Sequence, residues 1–312
     1  MVRSYFRTSS IVILSGAQRA ERRILCGMRS FGLAWLGLRM ALRSPVRLIR
    51  IAAIGTVLCA VGSYANAQVF LEEGKVQLDV APGENIAGKL TLHNTSDQDV
   101  DMKVYWEDFV YKPPFDGSKE FSPKGTSDYS IADWVNVSTQ SLIFGPYAKR
   151  TVSYSVNVPE DMDKGHYGVL FFEKEGMQVD GKTGLNVVTR VGCLFFIEPK
   201  NKVVKADIKN IQLSEQGLTS RFTNQGNVVL IPSGTFYVIN EEGMALDRGE
   251  MDKIYLPPDQ IADYALAFNR DLDPGVYTLV MTVTFEGGEV LVKEIDFQKS
   301  YPSAFNIIEI RD

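Results

Sequence analysis

The chain has 312 residues, 45% of them hydrophobic and 23% charged, a length that suggests two domains. Ten of its 33 basic residues, but only one of its 38 acidic ones (Glu21), fall within residues 1–67. The remainder carries 23 bases and 37 acids, a net of −14, which repels phosphate backbones and anionic lipid and argues against a nucleic-acid partner.

The first 67 residues read as a leader. Arg43, Arg47 and Arg50 precede an apolar run, Ile51 to Val61, and Ala65-Asn66-Ala67 supplies small residues where a signal peptidase inspects the chain. Cleavage is expected before Gln68, with the protein periplasmic or extracellular. The run of 11 residues is short of the roughly 20 a spanning helix needs. Residues 1–39 are Arg-rich and nearly free of acid, and a start at Met40 makes Met40–Ala67 a signal peptide of ordinary length. Cys59 lacks the flanking residues of a lipoprotein signal, with Thr56 and Leu58 at the key places. Beyond the leader only Cys193 remains, so no intrachain disulfide can form. About 245 residues in two domains bury enough apolar surface to fold without one.

From Val76 onward, alternating segments are separated by turn formers. Lys89–His93 and Met102–Trp106 flank Asn94-Thr95-Ser96-Asp97-Gln98-Asp99. Further strands are expected at Val152–Val158, Tyr167–Phe172, Leu185–Ile197, Thr235–Ile239, Tyr264–Phe268, Tyr277–Phe285 and Glu289–Phe297. No long segment has helical periodicity, so the fold class is all-β. Asp161-Met162-Asp163-Lys164-Gly165-His166-Tyr167 matches Asp271-Leu272-Asp273-Pro274-Gly275-Val276-Tyr277, and Leu90–Asn94 has a counterpart in Ser220–Asn224. One domain type used twice explains both repeats, as two tandem immunoglobulin-like Greek-key β-sandwiches. The expected domains are 68–200, with an insertion at 112–133, and 201–298, followed by a tail at 299–312. The insertion is rich in Pro, Gly, Ser and Lys, and loops on rigid sandwiches commonly carry function.

Catalytic chemistry is hard to find. Gly176 to Thr183 satisfies the phosphate-loop pattern G-x-x-x-x-G-K-[ST], but Leu185–Val191 after it reads as a strand, whereas phosphate binding needs a helix there. A hairpin turning at Asp180-Gly181 is expected, and no nucleotide. The D-x-D-x-G turns lack the further oxygens of a calcium loop. They read instead as turns closed by tyrosine corners at Tyr167 and Tyr277. His93 and His166 form no metal cluster, there is no G-x-S-x-G elbow, and Cys193 reads as a buried, inert thiol. No enzyme, cofactor or metal is expected. Asn94-Thr95-Ser96 and Asn136-Val137-Ser138 are formal glycosylation sequons, read as chance.

Leu185 to Ile197 is the most informative segment. Leu185, Val187, Val191, Cys193, Phe195 and Ile197 share one face with Thr189. The other face carries Asn186, Val188, Arg190, Gly192, Leu194 and Phe196. An outward face should be mostly polar, and Val188, Leu194 and Phe196 each gain about 1.5–3 kcal/mol when covered. Either the second domain or the insertion covers them, or the strand lies at an edge and offers itself to a partner by strand addition.

The first domain resembles the PapD-like periplasmic pilus chaperones. The matching order runs from Gly88–Asn94 through Trp106 and Trp134-Val135-Asn136-Val137-Ser138 to Pro146. It continues with Val156-Asn157-Val158-Pro159 and ends at Val188–Phe196 and Pro199. The resemblance implies a long strand that complements an unfinished partner, with a second sandwich set at an angle. It also implies an Arg in the first strand and a later Lys that hold the partner's C-terminal carboxylate. Lys75–Val80 and Ser138-Thr139-Gln140 stand at those places and offer no matching pair. Asp128-Tyr129-Ser130, Leu256-Pro257-Pro258 and Pro274–Tyr277 are also similar to the two-domain WxL-interacting surface proteins.

Two readings follow. In the first, the protein is an exported, chaperone-like module that holds or assembles another exported or surface protein. Its binding edge is Val188, Arg190, Leu194 and Phe196. The alternative is an envelope structural or adhesion protein that binds wall polymer or a surface partner through a loop exposing Phe115, Phe121 and Tyr129.

Overall fold

The computed structural model describes residues 69–174, 188–288, 290–302 and 304–312, and every regular element among them is a strand. The leader, its cleavage point, the Gly176–Thr183 motif and Leu185 to Val187 lie outside the described residues.

The first sandwich is built from β1 (Val69–Leu71), β2 (Lys75–Val80), β3 (Asn85–Asn94), β4 (Val100–Tyr111), β5 (Lys119–Pro123), β6 (Val135–Val137), β7 (Ser141–Phe144), β8 (Lys149–Asn157), β9 (His166–Lys174) and β10 (Thr189–Pro199). One sheet has the order β1-β3-β8-β6, and the other β2-β10-β9-β4-β5 with β7 also on β4. The first segment of chain thus changes sheets, since β1 pairs with β3 while β2 runs parallel to β10. Period-two alternation turns Leu90, Leu92, Val104, Leu170, Phe172, Cys193, Phe195 and Ile197 inward to form this sandwich's core.

The second sandwich contains β11 (Ala206–Ser214), β12 (Gly217–Asn224), β13 (Ser233–Asn240), β14 (Ala245–Glu250), β15 (Ile261–Ala267), β16 (Gly275–Thr284), β17 (Leu291–Ser300) and β18 (Ala304–Arg311). Its sheets run β11-β12-β15 and β14-β13-β16-β17-β18. Residues 304–311, within the segment read from sequence as a tail, form β18 and pair antiparallel with β17. The protein is therefore all-β, with two immunoglobulin-like sandwiches in tandem.

The two internal repeats have different fates. Asn94 and Asn224 are both buried and do the same work. Each amide donates to two carbonyls across its turn, Asn94 to Gln98 and Gly145 and Asn224 to Val228 and Leu256. Each side-chain oxygen accepts an N–H two residues on, from Ser96 and Gly226. The tyrosines diverge. The Tyr277 hydroxyl donates to the Asp273 carbonyl at 2.7 Å, closing its turn. The corner expected at Tyr167 does not form: its buried hydroxyl has no partner among the described residues. The ring instead stacks on Tyr129, with centroids 5.0 Å apart, and packs against Phe109 and Phe196.

That aromatic group marks a second core. Phe109, Tyr111, Phe115, Tyr167, Val169, Phe171 and Phe196 lie on the outer side of the first sandwich. They form one apolar cluster with Phe222, Phe236, Leu256, Leu279 and Phe297 of the second. β9 is apolar on both faces for this reason, and the C-terminal part of β4 brings Phe109 and Tyr111 to the same outer cluster.

Candidate functional site

The site is built around β10, which has different neighbours along its two halves. On one side it pairs with β9 over its length, from Thr189↔Lys174 to Ile197↔His166. On the other side β2 covers only Leu194–Pro199, beginning where the Leu194 N–H donates to the Gly74 carbonyl. Over Thr189–Cys193 no strand among the described residues is hydrogen-bonded on that side. Backbone groups of alternate residues point to the same side of a strand, so Arg190 and Gly192 direct their N–H and C=O groups outward with Leu194. Among the described residues this leaves a short open edge that stops at Leu194, where β2 begins.

Of the four edge residues expected from sequence, Val188 is half-buried just before β10. Arg190 lies flat on its own sheet. Its guanidinium is 4.0 Å from the Phe171 ring centroid, and Nη1 donates to Glu107 at 3.0 Å and to the Tyr105 hydroxyl at 3.3 Å. Leu194 packs, partly covered, against the interdomain cluster. Phe196 is 7% exposed and belongs to that cluster. The second sandwich covers most of it, and what remains lines the cleft between the sandwiches rather than an outer edge.

The insertion also turns inward. Phe115, Phe121 and Tyr129, expected on an exposed loop, face the protein instead. Phe115 is 6% exposed, Phe121 packs on Phe171, and Tyr129 donates from its hydroxyl to the Pro258 carbonyl at 2.9 Å. Aromatic residues in a Pro- and Gly-rich segment look like an exposed platform only until a second sandwich is brought against them.

Between the sandwiches lies a cleft of about 1110 Å³, lined among others by Lys75, Gln77, Lys119, Leu194, Lys202 and Tyr255. Lys202 is paired with Asp79 and Glu198, each at 2.7 Å. Lys75 and Lys119 have no carboxylate partner among the described residues. Lys75 Nζ lies 4.9 Å from the Phe196 centroid, and Lys119 Nζ 4.9 Å from that of Tyr111. Burial lowers the Lys119 pKa from its ordinary value. In the sequence, Lys75 falls in the first strand without a matching basic partner, and Lys119 has no role in a site. They are 44 positions apart, on β2 and β5, and only the packing of the second sandwich puts them in one cleft.

Cys193 is fully buried, and burial pushes its thiol up to about 12. Among the described residues no group of His, Cys, Asp or Glu is arranged to hold a metal ion, and no helix is long and apolar enough to cross a membrane.

No family model matches this chain, and no curated protein matches it in sequence. Solved structures do match in fold. A chain of the chaperone–tip adhesin complex of CFA/I fimbriae is 13% identical and covers 72% of this chain and 97% of its own, with a TM-score of 0.47. The class 5 fimbriae chaperone CfaA is 13% identical over 77% and 98% of the two chains, with a TM-score of 0.45. The CupB2 chaperone of Pseudomonas aeruginosa is 12% identical over 72% and 98%, with a TM-score of 0.38.

Proposed function

We propose that this protein is an exported, non-catalytic holding module that binds another exported protein by adding one of its strands to β10. The observation that carries this reading is the open half of β10. A row of unpaired N–H and C=O groups is a template for pairing, and folded proteins normally cover or guard it. The contrast within the molecule is informative. The equivalent flank of β17 in the second sandwich is covered by β18 from Glu294 to Ser300. A strand added at Thr189–Cys193 would continue the line of β2, with backbone hydrogen bonds giving affinity and alternate side chains giving selectivity.

The cleft supports the same reading. A partner strand running parallel to β10 would point its C-terminal end toward Gly74 and Lys75. An anionic group carried there would meet Lys75 at the edge of a cleft that Lys119 also lines, where a charged hydrogen bond adds to the strand pairing.

The test is affinity purification of the tagged protein from an extracytoplasmic extract, with mass spectrometry of what co-purifies. One stoichiometric exported protein, lost in Val188→Asp and weakened in the Lys75→Glu/Lys119→Gln double variant while both remain folded, is the expected result. A well-folded preparation that brings down no partner overturns the proposal.

A further inference from the structure

We infer that the 112–133 insertion is an intramolecular strap that locks the second sandwich onto the first, so that the tandem folds and moves as one body with a preset cleft. The strap is held at its base by Asp108, a buried carboxylate on β4. It accepts hydrogen bonds from the N–H groups of Thr126 (2.8 Å) and Ser127 (2.9 Å) and from the Ser130 hydroxyl (2.7 Å). The far side grips residues 255–258 of the second sandwich. The Tyr255 N–H donates to the Phe115 carbonyl at 2.7 Å, and the Tyr129 hydroxyl donates to Pro258.

Side chains complete the grip. The rings of Tyr111 and Tyr255 stack with centroids 5.4 Å apart and planes 14° from parallel. Gly117, at φ +97°, lets the strap pass under Tyr255, because a Cβ there would come within 2.9 Å of that ring. Lys119 lies against both rings, 4.9 Å from Tyr111 and 5.9 Å from Tyr255. A separate attachment sits at the first D-x-D-x-G turn. There the Gly165 N–H donates to the Asn227 carbonyl at 2.6 Å, and the Asn227 amide donates to the Asp163 carbonyl at 3.0 Å. Two attachments and a continuous apolar cluster leave no free hinge. Interdomain surfaces without such a lock are expected to move.

The test combines calorimetry and small-angle X-ray scattering on the purified protein, its Tyr129→Phe/Tyr255→Ala double variant, and Val283→Ala as a control deep in the second sandwich. The expected result is one cooperative transition in the parent protein. It splits into two in the double variant, whose radius of gyration rises. The control melts earlier but still in one step. Two transitions in the parent protein, or a double variant that melts in one step with unchanged scattering, overturns the inference. Amide exchange gives a check that needs no variant: the Tyr255 N–H should exchange only as slowly as the second sandwich's core amides, and exchange a hundredfold faster would also overturn it.

Discussion

Asn224 shows how much one side chain contributes at the scale of the residue. It is 1% exposed, donates to the Val228 and Leu256 carbonyls and accepts from the Gly226 N–H, although the Leu256 carbonyl also accepts from the Leu230 N–H. Asn224→Ala takes the side-chain partner from the Val228 carbonyl and the Gly226 N–H and one of two partners from the Leu256 carbonyl, and each lost bond carries a desolvation cost. The expected loss is about 3 kcal/mol in urea unfolding. A loss below about 1 kcal/mol would mean that water replaces the amide. Tyr167 is the opposite case. Its hydroxyl is buried without a partner among the described residues, so Tyr167→Phe removes a cost rather than a bond. Stability is expected to stay within about 0.5 kcal/mol of the parent or to rise. A fall of more than about 1 kcal/mol would show that the hydroxyl is bonded after all. These two residues also mark the limit of pattern reading. The Asn repeat has local partners in both copies, so its role travels with the motif. The Tyr repeat depends on what packs against it: Tyr277 has the Asp273 carbonyl, while Tyr167 has Tyr129 and Phe109 around it.

Among the elements, the strands flanking β10 and β17 decide which edges are open. β18 carries Glu309 and Arg311, and Arg311 is tied to Asp296 and Glu294 on the neighbouring strand. A register shift also occurs between Asp296 and Phe297 opposite it. Charges and bulges are the usual guards of a sheet edge. Ending the chain after Tyr301 removes this guard and uncovers β17. Concentration-dependent self-association is expected in sedimentation velocity, where the parent protein keeps a constant value. A truncated protein that sediments identically at all concentrations would show that β17 needs no cover. Most of the longer strands were readable from alternation in the sequence, whereas β5 and β18 fell in segments read as a loop and a tail. Which of them lie at edges was not, because hydrogen-bonded neighbours are set by chain crossings such as the switch of β1 and β2 between sheets.

Across the whole molecule, the interdomain cluster is rich in tyrosines held neutral by burial. Desolvation raises Tyr105 to about 12, and it pushes Tyr111 and Tyr167 higher still. A raised folded-state pKa for an acid means that the folded protein holds its proton after the unfolded chain has released it. Stability is therefore complete below the ordinary tyrosine value of about 10 and is lost as pH climbs above it. The urea midpoint is expected to fall between pH 9 and pH 11.5, with Tyr105, Tyr111 and Tyr167 releasing their protons only as the protein unfolds. Free titration of all tyrosines near pH 10 in the folded protein would contradict the buried interface.

What the amino-acid sequence determined by itself is everything that rests on local alternation and local turns. The all-β class, the longer strands such as β3, β8, β9 and β16, and the inward face of β10 follow from period-two burial, which needs no knowledge of distant residues. Only the tertiary structure decided what covers the other face. Phe196 and Phe115 are buried because a second sandwich lies on them, Lys75 and Lys119 share a cleft for the same reason, and, among the described residues, β10 is open only before β2 begins. The hydrophobic effect is non-directional: it requires that an apolar face be covered but does not specify by what, so an exposed-looking aromatic in the sequence fits a binding surface and a domain interface equally well.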